Sequence, residues 1–343
     1  SWHSHEFLYG YVIAVIAGFL MTAVPNWTGR LPIVGWPLLG IVVLWLAGRV
    51  AMAFSALLPP LAVGVIDLSM PVVLTLVIGR EIVTGKNWRN LLPLGMLAVF
   101  TLGNAVFHIE AARDLVAAQG YGLRIGLGAA IALVGLIGGR IIPSFTRNWL
   151  VRQGPGRLPI APMQRFDKLA LVALVAAALL WVAMPDTPLT AVLLILAGVL
   201  HAVRLTRWAG ERTLSEPLVW ILHLAYAFLP LGALAMGAQI LWPDYLGAAA
   251  PQHLWMAGAL GLMTVAVMTR ATLGHTGQTL TAGPGTVAIY LLLLTAVLAR
   301  LAAGYWTGAA DALHMVSGAG WIGAFGGFAA IYGPLVLRRR PAK

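Results

Sequence analysis

Apolar residues run along this chain in long blocks, separated by short polar stretches, and nowhere alternate with polar ones at the two-residue period of a strand. Eleven blocks stand out, at about 6–24, 34–53, 60–80, 89–108, 121–139, 167–184, 188–206, 217–238, 252–272, 285–304 and 312–336. Each is close to the ~20 residues that carry a helix across ~30 Å of hydrocarbon. An open sheet edge cannot be satisfied in lipid, so the pattern predicts an all-α fold: a polytopic transmembrane helix bundle of 11 spans. One bundle domain over residues 1–343 is expected, with short loops and no soluble domain. The longest connection, 140–167, carries Arg140, Arg147, Arg152, Arg157 and Arg165.

Composition strengthens this picture. Of 343 residues, 60% are hydrophobic and 10% charged, against about 45–50% and about 25% in soluble domains. The net charge of +11 raises the question of nucleic acid. The basic residues, however, are dispersed among short loops, which is the orientation signal of a membrane protein and predicts the lipid bilayer, not nucleic acid, as partner. Arg80, Lys86 and Arg89, the 140–167 connection, Arg204, Arg207 and Arg212, and the tail Arg338–Arg340 all fall on one side. That side is predicted to be cytoplasmic, with the N-terminus outside and the C-terminus inside. The chain begins with Ser and enters a span at once; a twelfth span is expected if an N-terminal helix is missing. With no cysteine, disulfides, thiolate-ligated haem and protein-bound iron–sulfur clusters are excluded, and any metal must use His, Met or oxygen ligands.

The topology sorts the eight histidines into two layers. His3, His5, His108, His253 and His314 fall at the outer ends of spans; His201, His223 and His275 lie in the inner half. His253 and His275 share one span, and their 22-residue separation covers roughly 33 Å of helix, so they cannot share one site. Five imidazoles from four helices at one depth are what a copper, iron or haem site in a bundle needs; the alternative is histidines resting at the lipid interface. His3 and His5 stand two apart, so one helical face cannot carry both. Asp311 stands where it can orient His314 or cap its helix. Asp67 is an intramembrane carboxylate that with Glu6 and Glu110 forms a candidate proton relay; the alternative is a buried ion pair with Arg49 or Arg124. Arg49, Arg124 and Arg300 suit haem propionates, or simply snorkel. In the inner layer, His201 and His223 on consecutive spans can clasp a porphyrin, or instead hydrogen-bond to backbone or to Tyr226. Arg270 and His275 fit haem contact or inner-surface packing. No Walker loop, dinucleotide fingerprint, HExxH or nucleophile elbow is present.

Several segments carry a family resemblance: Trp2-His3-Ser4-His5-Glu6, "GFLMTAVPNWTGR" (18–30), "LWLAGR" (44–49), "GGRIIPSFTRNWL" (138–150), "ILHLAYAFLPLG" (221–232) and "MAGALGLMTVAVMTRATLGHTGQTL" (256–280). In these the chain resembles NnrS, a family of haem- and copper-containing bacterial membrane proteins associated with nitric oxide resistance. The resemblance implies haem b, copper, nitric oxide as ligand or substrate, and a place in the bacterial inner membrane. Candidates His3, His5, His223, Arg270 and His275 lie in matching segments; His108, His201, His253 and His314 enter through the layer argument alone. Coupling two NO to N₂O consumes two electrons and two protons, and a haem beside a copper can hold both NO molecules close enough to join. Three functions follow as expectations: a haem–copper redox enzyme fed by an unidentified electron donor, a non-catalytic haem protein that binds or senses NO or limits iron–nitrosyl damage, and a transporter or metal-handling protein.

Overall fold

A computed structural model describes residues 1–243 and 250–337. The described residues hold eleven helices long and apolar enough to cross a membrane and no strand: α1 Trp2–Thr28, α2 Trp36–Ala53, α3 Pro60–Thr84, α4 Trp88–Ala112, α5 Tyr121–Gln153, α6 Arg165–Ala183, α7 Pro188–Thr206, α8 Pro217–Leu241, α9 Pro251–Thr276, α10 Pro284–Ala303 and α11 Thr307–Leu337. The all-α, 11-span expectation therefore holds.

Starts and stops follow local chemistry. Pro60, Pro188, Pro217 and Pro284 open their helices, where the missing N–H costs nothing. The Thr187 hydroxyl accepts from Thr190 N, and the Glu216 carboxylate accepts from Leu218 N at 3.0 Å. Gly29 and Gly277 end α1 and α9 in left-handed geometry at φ 69° and 74°.

The expected span 121–139 is corrected: α5 runs on to Gln153, so Arg140, Arg147 and Arg152 lie on a helix and the connection shrinks to 154–164. The physical reason is that 139–153 is amphipathic. Ile142, Thr146, Trp149 and Leu150 recur at helical spacing and are buried, while the cations occupy the other positions. Arg204, counted above as a loop cation, is fully buried within α7. The tail Arg338–Arg340 lies outside the described residues.

The chain forms two compact units. Unit 1 comprises Ser1–Leu133 with Ala178–Ala183, and unit 2 comprises Val134–Ala177 with Met184–Lys343. In unit 1, α3 packs against α1, α2 and α4, and α4 packs against the start of α5. In unit 2, α8 packs against α7 and α9, and α10 pairs with α11. Among the described residues, three helices contain π-helical turns, at Glu6–Val12, Val134–Gly138 and Leu254–Leu262. Such turns cluster at functional positions because they re-aim side chains and loosen backbone hydrogen bonds.

Candidate metal centre

The first turns of α1 bring the Trp2–Glu6 motif into unit 1 as helix, with His5 fully buried and His3 exposed. The two-residue spacing separates them as expected. His5 points at Asp67 of α3 and at Asn104 and His108 of α4, with Arg49 of α2 alongside. His5 Nε2, His108 Nε2 and Asp67 Oδ2 converge: the carboxylate oxygen is 3.3 Å from the first and 3.0 Å from the second. Two ligand atoms ~2.1 Å from one ion stand ~3.0–3.4 Å apart at octahedral or tetrahedral angles, so the preformed spacing suits a single metal. One ligand atom from each of the three residues lies within 4.8 Å of the others.

The atoms behind these ligands are also placed. His5 Nδ1 is 3.2 Å from Glu6 Oε1, the outer carboxylate arrangement common behind metal-bound imidazole, while Nε2 is 3.0 Å from the Asn104 amide oxygen, a side-chain contact that a cation would replace. Asn104 Nδ2 donates to Asp67 Oδ2 at 2.7 Å. Arg49 bridges the two acids, donating from Nη1 to Glu6 and from Nη2 to Asp67. Asp67 and Glu6 outnumber Arg49 by one formal charge, so the cluster as a whole favours a cation. Helix α2 can come this close only because residue 48 is Gly: a Cβ there would sit 2.9 Å from Asp67 Oδ1 and 3.2 Å from its Cα.

The other outer-layer candidates are not part of this cluster. Glu110, buried in α4, accepts from the N–H groups of Tyr121 and Gly122 at 2.6 and 3.1 Å, serving the start of α5. Arg124 donates to Gln119 O and lies over the Tyr121 ring. In unit 2, Arg300 Nε donates to His253 Nε2 at 3.0 Å, and His314 is exposed near the start of α11.

Unit 2 holds a second polar network, of a different kind. Arg204 donates from Nε to Asp167 Oδ1 at 2.8 Å and from Nη1 to Gly135 O and the Tyr226 hydroxyl, at 2.8 and 3.0 Å. Gly135 lies in the α5 π-helical turn. Tyr226 lies 2.7 Å from His201 Nδ1, and His201 Nε2 lies 3.1 Å from Ala170 O. A carbonyl only accepts, so Nε2 carries the proton and Nδ1 accepts from Tyr226. Both His201 nitrogens are thereby used. Charges here balance, one Asp to one Arg, in contrast to the unit 1 cluster. His223 Nε2 pairs with Thr146 Oγ1 at 2.8 Å, while its Nδ1 is buried without a hydrogen-bond partner. A Cβ on Gly210 would lie 2.6 Å from that Nδ1, so backbone already fills the space before it. Arg270 is buried with its guanidinium 4.3 Å from the Phe145 ring centroid, and His275 is exposed in the last turn of α9.

As arranged, these inner residues do not fit a porphyrin: His201 Nε2 is held by a backbone carbonyl and its Nδ1 by Tyr226, and His223 has backbone against its one unpartnered nitrogen. The unit 1 cluster does fit an ion such as copper, which imidazole and carboxylate both serve. Three contributors escaped the sequence reading. Asn104 stands one helical turn before His108, and Arg204 one turn after His201, both readable spacings; Asp167 sits at the mouth of α6, where only the fold gives it a partner.

No curated protein and no solved structure matches the chain. The profile of the family described as "NnrS protein" matches residues 1–340, almost the entire sequence, and a match of that extent places this multi-pass membrane chain in the NnrS family.

Proposed function

We propose that this protein protects against nitric oxide at a copper centre in unit 1, with His5 Nε2, His108 Nε2 and Asp67 Oδ2 as ligands, and that it reduces NO to N₂O. Family membership supplies the link to nitric oxide and to haem or metal binding in a membrane. The single observation that carries the reading is the convergence of those three atoms at ligand spacing, with Glu6 and Asn104 orienting them. A bound redox metal supplies an electron-transfer site at which NO can bind.

The chain's own residues do the rest. Glu6, by accepting from His5 Nδ1, favours the tautomer whose Nε2 can take a cation in place of the Asn104 contact. Arg49 ties Glu6 to Asp67 and keeps the Asp67 carboxylate aimed at both imidazoles. Tyr9 and Phe107 pack around the His5 ring, with centroids 5.4 and 5.2 Å away, and keep bulk water from it. Glu6 is the most exposed member of the cluster, its side chain 21% open, and is the carboxylate assigned to pass protons inward. The reaction balances as two NO, two electrons and two protons giving N₂O and water, with the electrons from an external donor. The family also implies haem b; since the inner residues do not fit it, no step is assigned to it.

One observation favours a second reading, stoichiometric NO binding: three ligand atoms this close hold one ion, and joining two NO molecules needs both held together. Purified protein with a chemical reductant in an NO electrode separates the two. Catalysis predicts continuous NO loss with N₂O formed at half the rate; uptake that stops near one NO per bound metal supports binding alone.

A further inference from the structure

We infer that unit 1 carries a binding site for an anionic phospholipid, in the groove between the α1–α2 connection, α2 and α3. The groove has a volume of about 1150 Å³, above the ~300–1,000 Å³ of pockets for compact small molecules. Its length is apolar, walled by Pro37, Ile41 and Leu44 on one side and Val73 and Val77 on the other. One end is charged: Arg30, Arg80 and Glu81 close it. A hydrocarbon trough with a cationic end has the chemistry of a lipid with an acidic headgroup.

The charge pattern decides the headgroup. Glu81 is buried, its side chain 6% exposed, and takes Arg30 Nε on one oxygen and Arg80 Nη2 on the other, the latter at 2.8 Å. One carboxylate against two guanidiniums leaves a net positive charge. Arg30 uses only Nε in this pairing, which leaves both of its Nη groups for a phosphate. Trp36 and Trp88, 84% and 59% exposed, stand at the ends of α2 and α4 nearest this mouth, as aromatic residues do at headgroup level. The groove is open in front of Gly40, where a Cβ would meet nothing within 4 Å, so a large side chain placed there would enter it. A zwitterionic lipid would fill the trough equally well but would gain less at the mouth, because its ammonium is repelled by the cations that attract its phosphate.

The test is native mass spectrometry of the full chain in mild detergent, with phosphatidylglycerol or phosphatidylcholine of identical acyl chains added. Wild type is expected to retain phosphatidylglycerol preferentially. Arg80→Gln, altering the more exposed guanidinium, should weaken retention of that lipid about fivefold and affect phosphatidylcholine distinctly less. Gly40→Phe fills the trough and should lower retention of both, with an unchanged melting temperature in lipid-free detergent. Equal retention of the two lipids by wild type, or undiminished phosphatidylglycerol on Gly40→Phe, overturns the proposal. So does recovery of a neutral quinone in the groove in place of phospholipid.

Discussion

Replacing Asp67 by Asn is the most informative single change to the unit 1 cluster. The shape is kept, but one anionic ligand is lost and the remaining oxygen cannot serve Arg49, Asn104 and both imidazoles at once. Loss of an outer partner of a metal ligand costs about 10–100-fold in affinity, so loss of the ligand itself should cost at least about 100-fold. Linkage converts this into stability: at a metal concentration about 100 times the wild-type Kd, binding stabilises wild type by about 2.7 kcal/mol and the weakened variant by only about 0.4 kcal/mol. The assay is a melting curve in detergent with and without added copper, beside metal analysis of the purified protein. Wild type should melt well above its metal-free form and the variant almost with it. Asp167→Asn is the control, because Asp167 is equally buried but faces a single arginine; it should lower the melting temperature and leave metal content unchanged. If Asp67→Asn keeps full metal and the full metal-induced rise, Asp67 is not a ligand and the reasoning fails.

Other outcomes follow from the same geometry. Glu6→Gln should retain metal with about 10–100-fold weaker affinity, read by chelator competition, because the His5 ring loses its orienting carboxylate. Arg204→Met strands Asp167 without its ion-pair partner and should destabilise by about 3–5 kcal/mol, with much of the loss recovered in the Asp167→Asn/Arg204→Met double variant; a double variant less stable than either single one would show that the pair is not the source of the effect. Gly48→Ala forces a methyl against the Asp67 backbone and should destabilise by about 1–3 kcal/mol, while lowering metal content by displacing the carboxylate. His201→Phe removes the acceptor of Tyr226 and should lower the melting temperature without changing copper content; loss of a haem absorbance band in that variant would instead argue that His201 is an axial ligand.

The helical architecture was legible because span length and hydropathy are strong, local signals. Span α5 was misjudged at its C-terminal end for a physical reason: cations on an amphipathic helix look like loop cations when only composition is counted, and the burial of Ile142, Thr146 and Trp149 between them decides the matter. At the site, Asp67 was legible as a carboxylate too costly to leave among lipid tails, and His5 and His108 as histidines at a common depth. Depth, however, does not give azimuth. His314 shares the predicted outer layer and faces outward, while His253 pairs with Arg300, a residue singled out for a different purpose. Asp167 and Arg204, 37 residues apart, meet only in the fold, and no spacing rule announces such a pair. The π-helical turn at Glu6–Val12 likewise has no sequence signature, although it begins at the residue that orients His5.

X-ray absorption at the copper edge of the purified, metal-loaded protein addresses the central claim most directly. The account predicts two imidazole nitrogens and one carboxylate oxygen at ~2.0–2.1 Å, with the imidazole scattering reduced and the copper mostly lost in His108→Ala. Copper bound with an unchanged spectrum in that variant, or wild-type protein that takes up no copper at all, would contradict it.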